Sequence, residues 1–81
     1  MRVVVLLFAQ ARERAGTAET VLDLPAGSRV ADALESLVRS HPGLAELRPH
    51  LAVAVDGTLA RATDALAGDC ELALLPPVSG G

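Results

Sequence analysis

Six consecutive apolar residues, Val3-Val4-Val5-Leu6-Leu7-Phe8, β-branched at their start, constrain this chain more than any other segment. The run is short for a buried helix and rich in residues that suit a pleated surface, so it reads as a strand. Apolar side chains at successive positions predict burial on both faces, and hence a central place in a sheet. Glu71-Leu72-Ala73-Leu74-Leu75 reads as the last strand, ended by Pro76-Pro77, which cannot donate to a ladder. These two strands are the most apolar of the chain and are expected side by side. With 81 residues there is room for one core, and a domain of this size buries only about 60 to 65% of its unfolded surface. Phe8 is the only aromatic residue, so Leu, Val and Ala must supply that core.

Between the two strands the punctuation is regular. Ala9-Gln10-Ala11-Arg12-Glu13-Arg14-Ala15 consists of good helix formers and is followed by Gly16 in the position of a C-terminal cap. Glu19 to Leu24 resumes strand character, antiparallel to the first strand, and Pro25-Ala26-Gly27 ends it. Ser28 is placed to cap a helix in which Val30, Leu34, Leu37 and Val38 share one face. That helix is predicted to stop near Ser40, broken by His41-Pro42-Gly43, with a further turn at Leu44 to Leu47 before Pro49. Leu51 to Val55, Asp56-Gly57 and Thr58 to Arg61 form a strand, a type I′ turn and a short strand. A connector from Asp64 to Asp69, turning at Gly68-Asp69, leads into the last strand.

Strand, short helix, strand, long helix, hairpin, strand is an α+β order, with one main helix across one face of a mixed sheet. It predicts the β-grasp, or ubiquitin-like, fold: a domain over residues 1–75 and a free C-terminal tail over 76–81, leaving a central strand. The tail, Pro76-Pro77-Val78-Ser79-Gly80-Gly81, extends to about 20 Å. Two prolines stiffen its base in a polyproline conformation and lower the entropy lost on insertion into another protein. Gly80-Gly81 has no Cβ and can thread a narrow channel, leaving the terminal carboxylate sterically open. That carboxylate is a poor electrophile and needs activation, for example as an acyl-adenylate.

Composition narrows the function classes. The net charge is −3, and the seven basic residues are all arginines, scattered along the chain. Without a basic stripe or aromatic platforms, nucleic-acid binding is not expected. No apolar run is long enough to cross a bilayer, and no signal-peptide pattern opens the chain, so a cytoplasmic location is expected. Cys70 is the single cysteine, which excludes an internal disulfide and a thiol-based metal site. The chain has no lysine, so an activated C-terminus would find no side-chain amine of its own to acylate; a compositional preference for Arg and Ala is the plainer account.

Leu6-Leu7-Phe8-Ala9-Gln10-Ala11-Arg12-Glu13, Gly68-Asp69 and Leu74-Leu75-Pro76-Pro77-Val78-Ser79-Gly80-Gly81 resemble the small subunits of molybdopterin synthases, ubiquitin-like sulfur carriers, over the full length of the chain. The resemblance implies that Gly81 is adenylated by a ubiquitin-activating-type adenylyltransferase and converted by a sulfur donor to a thiocarboxylate. That group enters the large subunit, in a heterotetramer of two small and two large subunits. There it donates sulfur to cyclic pyranopterin monophosphate to form molybdopterin. Pro76, Pro77, Val78, Ser79 and Gly80 would be the inserted tail, and Phe8, Arg12, Leu59 and Leu75 partner-binding residues. No metal or bound cofactor is implied, and ATP is consumed by the activating enzyme. The carrier contributes no catalytic acid or base of its own, so whether to count it an enzyme depends on the complex. The chain departs from the family in three places. Asp56-Gly57 stands where Asn is common, Cys70 inserts an extra residue that could form a bulge, and Leu74-Leu75 replaces a frequent aromatic pair.

Several residues invite competing readings. Phe8, Leu59 and Leu75 could form an apolar docking patch, with core burial the alternative for Phe8 above all. Arg12 and Arg14 could meet acidic partner residues or simply face solvent. His41 and His50 lack neighbouring ligands and are read as exposed or capping, and Cys70 as a structural thiol rather than a sulfur relay. A carrier for tRNA thiolation, thiamine or cysteine synthesis, a ubiquitin-like protein modifier, and a non-covalent interaction module remain as alternatives. An ordered tail is expected to have a partner chain or neighbouring molecule against Val78 to Gly81.

Overall fold

The computed structural model describes residues 1–75. Strand β1 (Arg2–Leu7) leads through helix α1 (Ala9–Ala15) to β2 (Glu19–Asp23), and helix α2 (Val30–Ser40) follows. Two 3-10 turns, Pro42–Leu44 and Arg48–His50, connect α2 to the hairpin β3 (Ala52–Val55) and β4 (Thr58–Ala60), and β5 (Cys70–Leu75) comes last. The expected extra turn at Leu44 to Leu47 forms, with the Leu47 amide donating to the Leu44 carbonyl at 3.0 Å, and it is flanked by two 3-10 turns, each with a proline in its first positions, where a missing amide costs no helical bond.

The five strands lie in the order β2-β1-β5-β3-β4. β1 and β5 are parallel neighbours, β5 is antiparallel to β3, and the two hairpin edges are antiparallel. This is the mixed-sheet β-grasp expected from the element order, with the last strand among the described residues in the middle. A parallel β1–β5 pair needs a long crossover, which the intervening helix and hairpin provide.

The core lies on one face of the sheet. Val3, Val5 and Leu7 of β1, Leu72 and Leu74 of β5 and Val53 of β3 pack against Val30, Ala33, Leu34 and Leu37 of α2, with Ala11 of α1 and Leu44 completing the cluster. Burial along β1 alternates, with Val4 and Leu6 only half-buried. The expectation that this strand is buried on both faces is thus corrected. One 11-residue amphipathic helix can cover one face only, and the second apolar face is left open.

Two local expectations are also corrected. Ser28 does not cap α2: its hydroxyl donates to the Pro25 carbonyl at 2.8 Å, and the cap is Arg29, whose amide donates to Asp32 Oδ2 at 2.8 Å. The acceptor comes from inside the first turn, where a carboxylate is also favoured by the helix dipole. Cys70 makes no bulge: it is the regular partner of Val3, and the register continues unbroken to Leu7 opposite Leu74. The Asp56-Gly57 turn is as expected, with positive φ at both residues, 49° and 83°, as type I′ requires.

Candidate functional site

Sheet register organises the surface from which the tail emerges. Along one row on the open face, Glu19, Leu6, Ala73, Ala54 and Leu59 lie opposite one another across all five strands. The next row carries Ala52 opposite Leu75. Phe8 follows the inward-facing Leu7 with an extended backbone, φ −118° and ψ 152°, so alternation turns it to this same face. The reading of Phe8 as a core residue is corrected: it is 44% exposed, Leu59 is 73% exposed and Leu75 is half-buried. Phe8 leaves the core because the sheet's covered face is already filled by Leu7 and Leu74 at this end.

Phe8, Leu59 and Leu75 therefore share an apolar face, to which Val4, Leu6, Ala73 and Val21 also contribute. Central alanines make the middle of this face low, and larger side chains stand on either side. Arg12 sits one helical turn from Phe8, its amide directed at the Phe8 carbonyl at 3.4 Å, and it is exposed. Arg14, in contrast, is engaged within the chain, pairing with Glu46 at 3.4 Å. The predicted tail residues Pro76, Pro77, Val78, Ser79, Gly80 and Gly81 lie outside the described residues, as does the expected neighbour against Val78 to Gly81.

What the described residues do show is how the base of the tail is held. β5 is hydrogen-bonded on both sides, by β1 and by β3, up to Leu75. Its other end is clamped by side chains. Asp69 Oδ1 accepts the Arg2 amide at 2.7 Å, and Asp56 Oδ1 accepts the Glu71 amide at 2.9 Å. Amides at strand ends that lack a ladder partner are thereby satisfied. A strand fixed at this many points gives whatever follows Leu75 a rigid origin.

Cys70 lies between these two carboxylates and is partly buried. Burial pushes its thiol above the ordinary range, and Asp56 and Asp69 add in the same direction by disfavouring a thiolate. A sulfur nucleophile needs the opposite environment, so the structural reading of Cys70 fits. Among the described residues no cluster of His, Cys, Asp or Glu is arranged to hold a metal ion, and no helix is long and apolar enough to cross a membrane. This apolar face was only half legible in sequence. The apolar run named its residues, but their exposure depends on which face the single long helix covers.

Comparison with known proteins adds to this geometry. The ThiS family model matches residues 5–81. The molybdopterin synthase sulfur carrier subunit of Arabidopsis thaliana is 36% identical over 81 residues, covering 100% of this chain and 84% of that protein. Small archaeal modifier protein 1 of Haloferax volcanii is 41% identical over 83 residues, covering 93% of this chain and 95% of the relative. Among solved structures, the crystal structure of SAMP1 from Haloferax volcanii matches with a TM-score of 0.88 and 36% identity, covering 100% of both chains.

Proposed function

The chain belongs to the ThiS family, and from that premise we propose that it is the sulfur carrier subunit of a molybdopterin synthase. One observation carries the reading. Relatives named as sulfur carrier subunits match over the whole of this chain, and its doubly bonded central strand β5 runs into Pro76-Pro77-Val78-Ser79-Gly80-Gly81.

In the proposed cycle the Gly81 carboxylate attacks the α-phosphorus of ATP on a ubiquitin-activating-type enzyme and displaces pyrophosphate. Sulfur from a donor then attacks the acyl carbon of the adenylate and releases AMP, leaving a thiocarboxylate. In the large subunit the thiocarboxylate sulfur bonds to a carbon of cyclic pyranopterin monophosphate as the oxygen on that carbon departs, as water or on the phosphate; water then cleaves the acyl–sulfur bond, leaving the sulfur on the pterin and returning the Gly81 carboxylate, and a second charged carrier supplies the second sulfur. The carrier supplies the sulfur and its position, while acids and bases come from the partners. The exposed face around Phe8, Leu59 and Leu75, with Arg12 at its border, is the surface we assign to those partners, in the cytoplasm. Large apolar side chains on a rigid sheet lose little entropy on docking.

The test is intact mass after incubation with ATP, the activating enzyme and a sulfur donor. Replacement of one terminal oxygen by sulfur is the expected result. Mixing that product with the large subunit and cyclic pyranopterin monophosphate should then yield molybdopterin. A protein that is never thiocarboxylated by a matched activating enzyme would sink the proposal.

A second reading is favoured by the 41% identity to small archaeal modifier protein 1: joining of Gly81 to lysines of other proteins. The two share the adenylate and diverge after it. Mass-spectrometric detection of Gly-Gly remnants on lysines of cellular proteins would support conjugation alongside or instead of sulfur transfer.

A further inference from the structure

At its start, strand β3 lacks the neighbour it has farther along. The hairpin register sets Val53 opposite Ala60, so the partner of Leu51 would be Ala62. β4 ends at Ala60, however, and the Ala62 carbonyl oxygen accepts the Ala31 amide at 2.9 Å, which carries the chain away to α2. The gap this leaves is an open groove of about 530 Å³, floored by Leu34 of α2 and Val53 and lined also by Leu59, Ala60, Leu51 and Arg48.

Two polar groups of this lining are unmatched among the described residues. The Asp56 amide donates to the Glu71 carbonyl, and alternation then makes Ala54 with Ala73 and Ala52 with Leu75 the bonded pairs of β3 and β5. The Ala52 amide therefore points to β5. The carbonyl of the same trans peptide, that of Leu51, points the opposite way, into the space that β4 has left. No described amide donates to it. The Arg48 guanidinium is the only charge in the lining, and it pairs with no described carboxylate.

An acceptor, an apolar floor and a cation in one groove match the three groups of a single residue at the end of a chain: its amide, its side chain and its α-carboxylate. We propose that this groove captures the C-terminal residue of a partner protein, an aliphatic one, with its amide donating to the Leu51 carbonyl, its side chain on Leu34 and its carboxylate on Arg48. The volume lies in the range of pockets that enclose small ligands, which suits the last few residues of a chain. An internal Asp or Glu fits less well, because it would put its charge on the side chain that the apolar floor must receive. The inference rests on the groove alone and does not depend on the sulfur chemistry. Leu59 belongs to both this groove and the exposed apolar face, so a captured C-terminus lies at the border of the surface assigned to the sulfur-transfer partners.

The test is an NMR titration of the full-length protein, labelled with nitrogen-15, with the peptide acetyl-Ala-Thr-Ala-Leu bearing a free carboxylate. Saturable shifts confined to the groove, at Arg48, Leu51, Ala52, Ala60 and Ala62, are the expected result. The same peptide as its C-terminal amide should bind about fivefold more weakly, the weight of one partly exposed ion pair. A peptide ending in N-methyl-leucine, which lacks the donor for Leu51, should lose about as much. Arg48→Gln should weaken the free acid by the same factor and leave the amide unchanged, a difference that general damage to the fold would not produce. No saturable shift with the peptide at about 10 mM, tenfold above a weak dissociation constant of about 1 mM, overturns the proposal. So does equal binding of acid and amide, and so do shifts centred on Phe8, Leu6 and Ala73, because the peptide then sits on the sheet face instead.

Discussion

The Asp56 amide donates to the Glu71 carbonyl oxygen at 2.8 Å, and the Glu71 amide donates back to Asp56 Oδ1 at 2.9 Å. A hairpin turn and the start of the central strand are thus held as one unit. Asp56 does this from a left-handed backbone conformation, φ 49°, which Asp and Asn tolerate better than other non-glycine residues. Asp56→Ala removes the acceptor and strains the turn, and should cost about 2 kcal/mol. Asp56→Asn keeps both properties and should stay within about 0.5 kcal/mol. Urea denaturation of the two variants checks the contrast.

Gly43 and Gly16 test two different reasons for glycine. A Cβ on Gly43 would meet the Arg14 carbonyl oxygen at 2.5 Å, where the turn after α2 closes on the end of α1. Backbone cannot step aside cheaply, so Gly43→Ala should destabilise by about 1 to 3 kcal/mol. Gly16 has open space around it but a φ of 78°; its replacement by Ala should cost about 1 kcal/mol through strain alone. Thermal melts should show the larger loss at Gly43, and a shift of Gly16→Ala alone would contradict the steric account.

Cys70 provides a pH test. The chain has no lysine and no tyrosine, so Cys70 is the only side chain that titrates in the alkaline range. Its thiol is pushed above the ordinary thiol range, chiefly by burial, with Asp56 and Asp69 contributing. A pKa raised in the folded state gives a contribution to stability that is intact below the unfolded thiol's range and lost as pH climbs through the folded value. The wild type should therefore lose stability above pH 9 relative to Cys70→Ala. Iodoacetamide should modify the folded protein more slowly than the unfolded chain at pH 8, which timed mass spectrometry can follow.

Stability and partner binding should separate on the sheet's two faces. Leu59→Ala and Phe8→Ala remove exposed side chains. We expect small stability changes, within about 0.5 kcal/mol for Leu59, and losses of about 1 to 2 kcal/mol in affinity for the proposed large-subunit partner, or about tenfold. Leu72→Ala, at a fully buried position, should instead cost about 2 to 5 kcal/mol of stability. Calorimetric binding and denaturation on the same three variants test the division; equal affinities for wild type and both surface variants would remove this face from the partner interface.

Much of this architecture is written in local chemistry. The Gly16 cap, the Asp56-Gly57 turn and the end of α2 before Pro42 each follow from residue type and spacing, because φ preference, missing amides and apolar periodicity act within a few residues. Ser28 misled because a cap depends on which neighbour reaches the free amide first, and Asp32 does. Cys70 misled because a bulge is a property of two strands, and only the register with Val3 reveals that none is needed.

The candidate site divides the same way. Sequence alone determined the tail's composition, its family resemblance and the apolar residues flanking it, since these are properties of the chain. Tertiary structure alone decided that Phe8 and Leu59 are exposed, that Leu75 lies beside Ala52, and that a groove with Arg48 opens where β4 stops short. Those facts depend on which sheet face one helix covers and on how strands of unequal length align, relations between segments far apart that no local pattern encodes.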